Sequence, residues 1–497
     1  MACIPFDVRR RTHAQSNIAQ LLTSPRVNHL KVVGGRLVNW VRRKLHQFQL
    51  QIAIAEFGFG VTLFLVALRA VEQMTDKPRP AFTCQYPVAN QPRRVVPHVI
   101  AMTAAEIGYP VTVFILVEPG HWLLHLSTSY EDCNRTQYAE ISHLLQQMDF
   151  RNILVRATNW VGDAVMSIPA FQALRQRFPT AHISILARPW VAGLYGREPF
   201  CDELIPYDAP RGWHGIGEKL NVAAQLRARN FDCAVLFQNA FEAAALARMA
   251  GIPVRIGYAV DGRDWLLSDA ITVPRPDETP RHQRFYYLEL LKRAKLIGDY
   301  SVDGDIRLSG ARAAAEKGRE RLEQAAIQGT VIGVSPGAAY GGAKRWLPER
   351  FAEAGWRVAR ERNATVAIFG AREELPVCEL VQQQLERLGQ RCVNFAGATT
   401  LAEFIEMAAA CDVFFTNDSG PMHIASAVGV PTVAIFGATD HVATGPTGPL
   451  SRVVREPADC SPCLLRECPI DHRCMTRVTA ERVVETAFSL IEIEKRL

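Results

Sequence analysis

No residue type dominates this 497-residue chain; its 33 Gly and 29 Pro are near average, which excludes a collagen-like or wholly disordered protein. No segment repeats with a period of about 20–50 residues, which argues against solenoids and propellers. The N-terminus has the charges of a secretory signal (Arg9, Arg10, Arg11) but not the short apolar region and small-residue cleavage site that should follow them. No GxxxxGK[ST] run is present, so there is no Walker-type phosphate loop. Charge of one sign is also scarce. The net charge of +6 resides in residues 1–147, with 15 Lys/Arg against 9 Asp/Glu, whereas residues 148–497 hold 41 of each. A nucleic-acid partner would have to be read by that first segment, which carries no reader motif, so none is expected. Eight of the twelve Cys are scattered, as in the reduced thiols of a cytosolic protein.

What is present is an ordinary globular composition, 48% apolar and 21% charged. At about 100–200 residues per domain it predicts two to four domains, each with its own core. Residues 50–71 are long enough to span a bilayer, but Glu56 and Arg69 fall inside the window. Each would cost about 2.5–3.5 kcal/mol near a membrane centre, which favours a poorly specified apolar helix. A Pro-rich stretch and a second apolar run at Val111–Val117 follow. Met148 stands four residues before a strand-like run, where domains of this type often begin. Residues 1–147 are therefore read as an N-terminal extension, either a mis-assigned start or disordered.

From residue 150, short apolar runs alternate with helical patterns. Strands are expected at Asn152–Arg156, His182–Ala187, Cys233–Gln238, Val331–Ser335, Thr365–Phe369, Asp412–Thr416 and Thr432–Phe436. Helices are expected at Asp163–Arg177, Glu242–Ala250, Pro348–Arg362, Glu373–Leu388, Leu401–Ala410 and Pro421–Val428. Such alternation predicts an α/β protein with parallel sheets covered on both faces. The charged helical stretch Leu308–Gly329 reads as a connection between two doubly wound domains, 148–325 and 326–497. Ligands of such domains bind at the carboxyl ends of the strands, which places the site in the cleft between them.

Four segments carry chemistry. In ILVRATNWVGDAVMSIPAF (153–171), Asp163 opens a helix. It is either a general base at the cleft or an ordinary acid favoured by the helix dipole. In VSPGAAYGGAKRWLPERF (334–351), small residues allow backbone N–H groups to approach an anion, and Lys344 either neutralises a phosphate or is solvated. In TNDSGPMHIASAVGVPTVAIFGATD (416–440), Asn417, Asp418 and Ser419 precede a helix of small residues whose amino end suits a phosphate. Asp418 should then face a sugar hydroxyl or a backbone N–H, and His423 reads as a structural hydrogen-bonder. In CSPCLLRECPIDHRC (460–474), the CxxC start is metal-like, but the later spacing departs from a zinc finger. These thiols are either metal ligands or, as preferred here, reduced.

Read together, ATNWVGDAVMSIPAFQALR, PGAAYGGAKRW, NDSGPMHIASAVGVPTVAIFGATD and the Cys-rich tail resemble glycosyltransferase family nine, the ADP-heptose transferases of lipopolysaccharide core assembly. The resemblance spans about residues 150–495 and keeps the family's order. WVGD, IGYAVDGRDWLLSDAI and RHQRFYYLELL are most similar to the branch that acts second on the inner core. The resemblance implies a GT-B fold of two Rossmann-like domains, the first for a lipid-linked acceptor and the second for the nucleotide sugar. It implies inverting transfer of L-glycero-D-manno-heptose from ADP-heptose to heptosyl-Kdo2-lipid A, with no metal and no cofactor. By motif, Asp163 would be the base and Lys344 would hold the leaving diphosphate. Asp418 would contact the heptose, and Ser419, Gly420 and Pro421 would face the diphosphate. Thr399 would line the adenine pocket, and an acid near GAREE, taken as Glu373 over its neighbours Arg372 and Glu374, would meet the ribose. Gly437 and Thr439 complete the expected donor site. Among the basic residues of the first domain, Arg188, Arg281 and Arg284, with Arg211 and Lys219, are candidates to meet an anionic glycolipid; the alternative is that they are solvated charges. The protein is expected in the cytoplasm, peripheral to the inner membrane. The competing readings are a relative with another acceptor or donor sugar, and a nucleotide-sugar binder without catalysis.

Overall fold

Runs of Val, Ile and Leu four to six residues long, separated by amphipathic stretches, are satisfied when strands lie side by side under helices on both faces. The computed structural model, which describes residues 150–210 and 215–496 and the backbone of three earlier strands, shows this arrangement twice. The chain divides into two compact units, residues 1–143 and 144–497. In the first unit, strands β1 (Val99–Ala104), β2 (Val111–Glu118) and β3 (His121–Ser127) form an antiparallel sheet in that order. The rest of the proposed extension, with the apolar stretch 50–71, Met148 and Arg211, lies outside the described residues.

In the second unit, β4 (Asn152–Arg156), β5 (His182–Ala187), β6 (Glu203–Pro206), β7 (Cys233–Leu236), β8 (Val254–Tyr258) and β9 (Asp269–Ile271) form a parallel sheet in the order β6-β5-β4-β7-β8-β9. A second parallel sheet contains β10 (Val331–Ser335), β11 (Thr365–Ile368), β12 (Cys392–Asn394), β13 (Val413–Asn417), β14 (Thr432–Phe436) and β15 (Ser451–Arg455), ordered β12-β11-β10-β13-β14-β15. Both follow the doubly wound order 3-2-1-4-5-6, whose direction reverses between the first and fourth strands. The two reversal points are the crevices beyond β4/β7 and beyond β10/β13.

All seven strands read from the sequence are present. In the two parallel sheets five strands were not foreseen, β6, β8, β9, β12 and β15, and they lie toward the flanks; nor were β1, β2 and β3. Glu203–Pro206, Asp269–Ile271 and Cys392–Asn394 are half-buried or exposed along much of their length, so they do not need the continuous apolar run that marks a central strand. The helix expected from Asp163 to Arg177 is two helices, Val161–Met166 and Ile168–Arg177, that meet at Ser167. Pro169 in the first turn of the second has no N–H to continue the first. The Ser167 hydroxyl donates to the Ala164 carbonyl at 2.8 Å across the break.

The two sheets share one apolar cluster in which Phe171 and Tyr195 join Phe404, Phe414 and Ile424. Small residues set the approach. A Cβ on Gly420 would lie 2.8 Å from Cβ of Val161, so the first turns of helices Gly420–Ala427 and Val161–Met166 touch directly. His423 rests on Gly162, with a ring carbon 3.1 Å from the position a Cβ would take.

Candidate active site

The loop after β4 turns into helix Val161–Met166 and places Asp163 in its first turn. The helix dipole favours the carboxylate, but burial wins. The Asp163 carboxyl is pushed up to about 6 by desolvation, while the charge of Lys344 pulls the other way. The two groups foreseen as base and diphosphate holder, in different domains, therefore feel each other electrostatically.

Lys344 closes the small-residue loop after β10, in a short 3-10 turn at Gly342–Lys344. Its Nζ donates to Oδ2 of Asp418 at 2.7 Å and lies 4.9 Å from the centre of the Tyr340 ring. Thr439 Oγ1 donates to the same Asp418 oxygen at 2.5 Å. Asp418 is buried, so this pairing is what makes its charge tolerable. Asp418 faces a lysine and a threonine rather than a phosphate, and it anchors the lysine whose remaining two N–H bonds are available to a ligand. Asn417, wholly buried, accepts the Trp346 N–H at 2.9 Å and donates to the Pro336 carbonyl at 2.8 Å. One side chain thus ties both ends of the lysine loop to β13.

Ser419 precedes helix Gly420–Ala427, with Pro421 in its first turn, and makes no side-chain cap bond. Its hydroxyl lies 3.2 Å from that of Thr416. The Ser419 side chain therefore leaves the first N–H groups of this helix uncapped, next in sequence to Asp418. His423, one turn further on, is pushed down to about 4 by burial and is neutral near pH 7.

The other foreseen donor residues lie on neighbouring connections. Glu373 is exposed on the turn Arg372–Glu374 after β11, and Thr399 is half-buried in a loop whose Gly397 comes within about a Cβ contact of Arg372, 3.2 Å. Glu374 is the inward acid of this trio. It accepts the Ala371 N–H at 2.9 Å, and burial pushes its carboxyl up. Gly437 does not face the crevice freely. Its carbonyl accepts the Ser461 hydroxyl at 2.6 Å, and Cys474 and Met475 pack where its side chain would be.

Among the basic residues, Arg188 is buried. It donates to the Ala209 carbonyl at 2.7 Å and stacks over Tyr207 at 4.5 Å. Lys219 pairs with Glu242 at 2.6 Å, and Tyr207 donates to Glu242. Arg156, which was not foreseen, is buried beside them, pushed down to about 10 by desolvation. Three cations and one carboxylate are thus gathered at the carboxyl edge of the first sheet. Arg281 reaches Asp440 of the other domain at 2.5 Å, next to Thr439. Arg284 holds the carbonyls of Val302 and Gly304 and so serves a turn rather than this cluster.

The Cys-rich segment was not foreseen as part of the site's support. Arg466 accepts the Ala343 N–H at its carbonyl (2.9 Å), Glu467 accepts the Gly342 N–H (3.0 Å), and the Leu464 carbonyl accepts the Tyr340 hydroxyl (2.8 Å). His472 bonds the Ala343 carbonyl at 3.0 Å, and Leu464 donates its N–H to Ala438 at 2.8 Å. Residues 460–474 form a strap over the lysine loop and the 437–440 turn. Cys460, Cys463, Cys468 and Cys474 are free thiols, and among the described residues no three His, Cys, Asp or Glu converge to hold a metal. A Cβ on Gly341 would lie 2.3 Å from the Arg466 carbonyl oxygen. Gly341→Ala should therefore lift the strap and shift Lys344. The expected result is a kcat lower by roughly tenfold to a hundredfold and a fold weaker by about 1–3 kcal/mol, read by steady-state kinetics and denaturant melts.

Two doubly wound domains with an acid on one reversal point and a lysine–aspartate pair on the other have the GT-B fold. Residues 220–473 match the model of glycosyltransferase family 9 (heptosyltransferase). The chain is 32% identical over 308 residues to lipooligosaccharide heptosyltransferase 2 of Haemophilus influenzae, covering 61% of this chain and 88% of that one. It is 29% identical over 347 residues to lipopolysaccharide heptosyltransferase 2 of Salmonella typhimurium, covering 69% and 99%. The solved structure of Escherichia coli ADP-heptose lipopolysaccharide heptosyltransferase II superimposes with a TM-score of 0.59 at 28% identity, covering 69% of this chain and 99% of that one. The chain belongs to glycosyltransferase family 9.

Proposed function

We propose that this enzyme transfers L-glycero-D-manno-heptose from ADP-heptose to a heptosyl-Kdo2-lipid A acceptor during assembly of the lipopolysaccharide inner core, with inversion at the anomeric carbon. The observation that supports the mechanism is that Lys344, paired with Asp418, lies near enough to Asp163 to act on its charge. The names of the relatives support heptose as the sugar and the inner core as the setting.

Asp163 takes the proton from the acceptor hydroxyl as its oxygen attacks the anomeric carbon. The bond to the diphosphate breaks on the opposite face, and the departing ADP takes the electron pair. Lys344 and the uncapped amino end at Ser419, Gly420 and Pro421 meet the charge that builds on the diphosphate. Asp418, held by Thr439, orients Lys344 and offers its second oxygen to a heptose hydroxyl. Thr399 and Glu373 flank the nucleoside, and Gly437 supports the turn that carries Thr439. In this reading residues 148–325 bind the acceptor, and Arg188 and its neighbours Arg156 and Lys219 meet its acidic groups. Residues 326–497 bind the donor. Arg281, paired to Asp440, links acceptor side to donor side, and Arg284 acts at a distance through the 302–304 turn.

We also place the enzyme at the cytoplasmic face of the inner membrane, where a lipid-linked acceptor would be met. Among the described residues no helix is long and apolar enough to cross a membrane. The test is incubation of the full chain with ADP-heptose and heptosyl-Kdo2-lipid A. A mass gain of one heptose with one ADP released supports the assignment. No gain with intact donor binding points to another acceptor.

A further inference from the structure

All six strands of the first sheet are parallel, so every connection that leaves a carboxyl end emerges at the edge where Asp163 lies. Large apolar side chains point outward there: Trp160 after β4, Trp190 after β5, Leu220 in the helix after β6, Phe241 after β7 and Trp265 after β8. Trp265 is 71% exposed, Trp160 55% and Leu220 54%. The rings are held rather than loose. Trp190 donates its indole N–H to the Asn159 carbonyl at 2.8 Å, and the Phe241 and Trp265 rings lie 6.2 Å apart. Five apolar side chains on successive connections form a rim, and an exposed apolar surface of this kind marks a binding face.

The charges on the same connections identify what the rim meets. Asp208, Glu218, Asp261 and Asp264 are exposed, while Arg156, Arg188 and Arg263 are buried and Lys219 is largely covered. Among the described residues at this end of the connections the exposed charges are therefore acidic, and a strongly anionic surface would gain little from them at long range. A folded protein seated on the rim would also cover the way to Asp163. A bilayer surface does not, because it presents its own glycolipids to the crevice. Tryptophan favours the boundary between head groups and acyl chains, where the ring is apolar and the indole N–H stays wet.

We infer that this rim seats the enzyme on the head-group layer of a lipid bilayer by shallow insertion of Trp160, Trp190, Leu220, Phe241 and Trp265, without a requirement for anionic lipid. The inference rests on the acceptor being lipid-linked, and it gives the membrane contact a definite surface. Docking in this pose brings the mouth of the crevice, and with it Asp163, to the depth of the glycolipid sugars.

The full chain is sedimented with acceptor-free vesicles of phosphatidylcholine and phosphatidylethanolamine at low and high salt, beside the Leu220→Ser/Trp265→Ser variant. The expected result is salt-insensitive binding that falls roughly tenfold or more in the variant, with melting temperature and transfer to a deacylated, water-soluble acceptor unchanged. Three results would overturn it: binding only when phosphatidylglycerol is added and lost at high salt, variant binding equal to the parent, or a parent dimer in light scattering that the variant dissolves without any vesicle binding. Failure of the transferase reading would show separately, as no heptose gain on the soluble acceptor.

Discussion

Asp163→Asn lowers kcat by about 10²–10⁴-fold, the usual worth of a general base, and leaves donor binding intact. The parent enzyme should show an acid limb in kcat/KM, which reports the free enzyme. Asp163 must be ionised to accept the hydroxyl proton, and its carboxyl sits at about 6, so activity rises tenfold per pH unit below that value and levels off above it. His423 does not set the limb near 6, because burial holds it well below, near 4. Stability runs the other way. A carboxyl raised above its unfolded value of 3.8 contributes stability that is fully present below that value and is lost as pH rises through about 6. At pH 7 the ionised form therefore weighs against the fold, and Asp163→Asn, inactive, should melt a few degrees higher than the parent. The lowered His423 acts oppositely. The unfolded chain binds its proton first, so stability falls as pH drops from about 6.5 toward 4. The Asp163 effect is accordingly read from the difference between variant and parent across pH. An Asp163→Asn protein that is both inactive and less stable at pH 7 would contradict a buried base.

Lys344→Ala costs about 10²–10³-fold in kcat, the range for removing charge stabilisation from a developing anion. It has a second effect that a solvated lysine would not have. Asp418 is buried, and it loses its cation while keeping only the Thr439 hydroxyl. Breaking one side of a buried pair costs about 3–5 kcal/mol, so the variant should unfold at markedly lower denaturant. Asp418→Asn added to Lys344→Ala removes the stranded charge. Stability should return in the double variant and activity should not, which separates the leaving-group role from the structural one. Lys344→Arg should rescue poorly. The ammonium fits between Asp418 at 2.7 Å and the Tyr340 ring at 4.9 Å, and a planar guanidinium presents its donors in a fixed fork instead. Stopped assays of ADP release and chemical denaturation of the three variants provide the comparison.

The motif segments were legible because each combines local signals. ILVR followed by a polar turn and VGDAVM announces a central strand and the start of a helix, and the same holds for VIGVS before Lys344 and VFFTN before Ser419. Periodicity is local, so β4, β5, β10 and β14 could be bounded to the residue. The flank strands β6, β9 and β12 gave no such signal, because half-exposed strands need no unbroken apolar run.

By itself, then, the sequence determined the α/β class and the central strands, and it singled out Asp163, Lys344 and Asp418 as the residues on which the proposed chemistry rests. Only the tertiary structure decided that Lys344 and Asp418 pair with each other, that Asn417 and the Cys-rich strap hold the lysine loop, and that Glu374 rather than Glu373 turns inward. It also decided that Arg284 serves a turn while Arg156 joins Arg188 near Glu242. The physical reason is common to all of these. Helix, strand and turn propensities act over a few neighbours along the chain, whereas burial, ion pairing and pKa are set by groups that meet only after two sheets have been closed against each other.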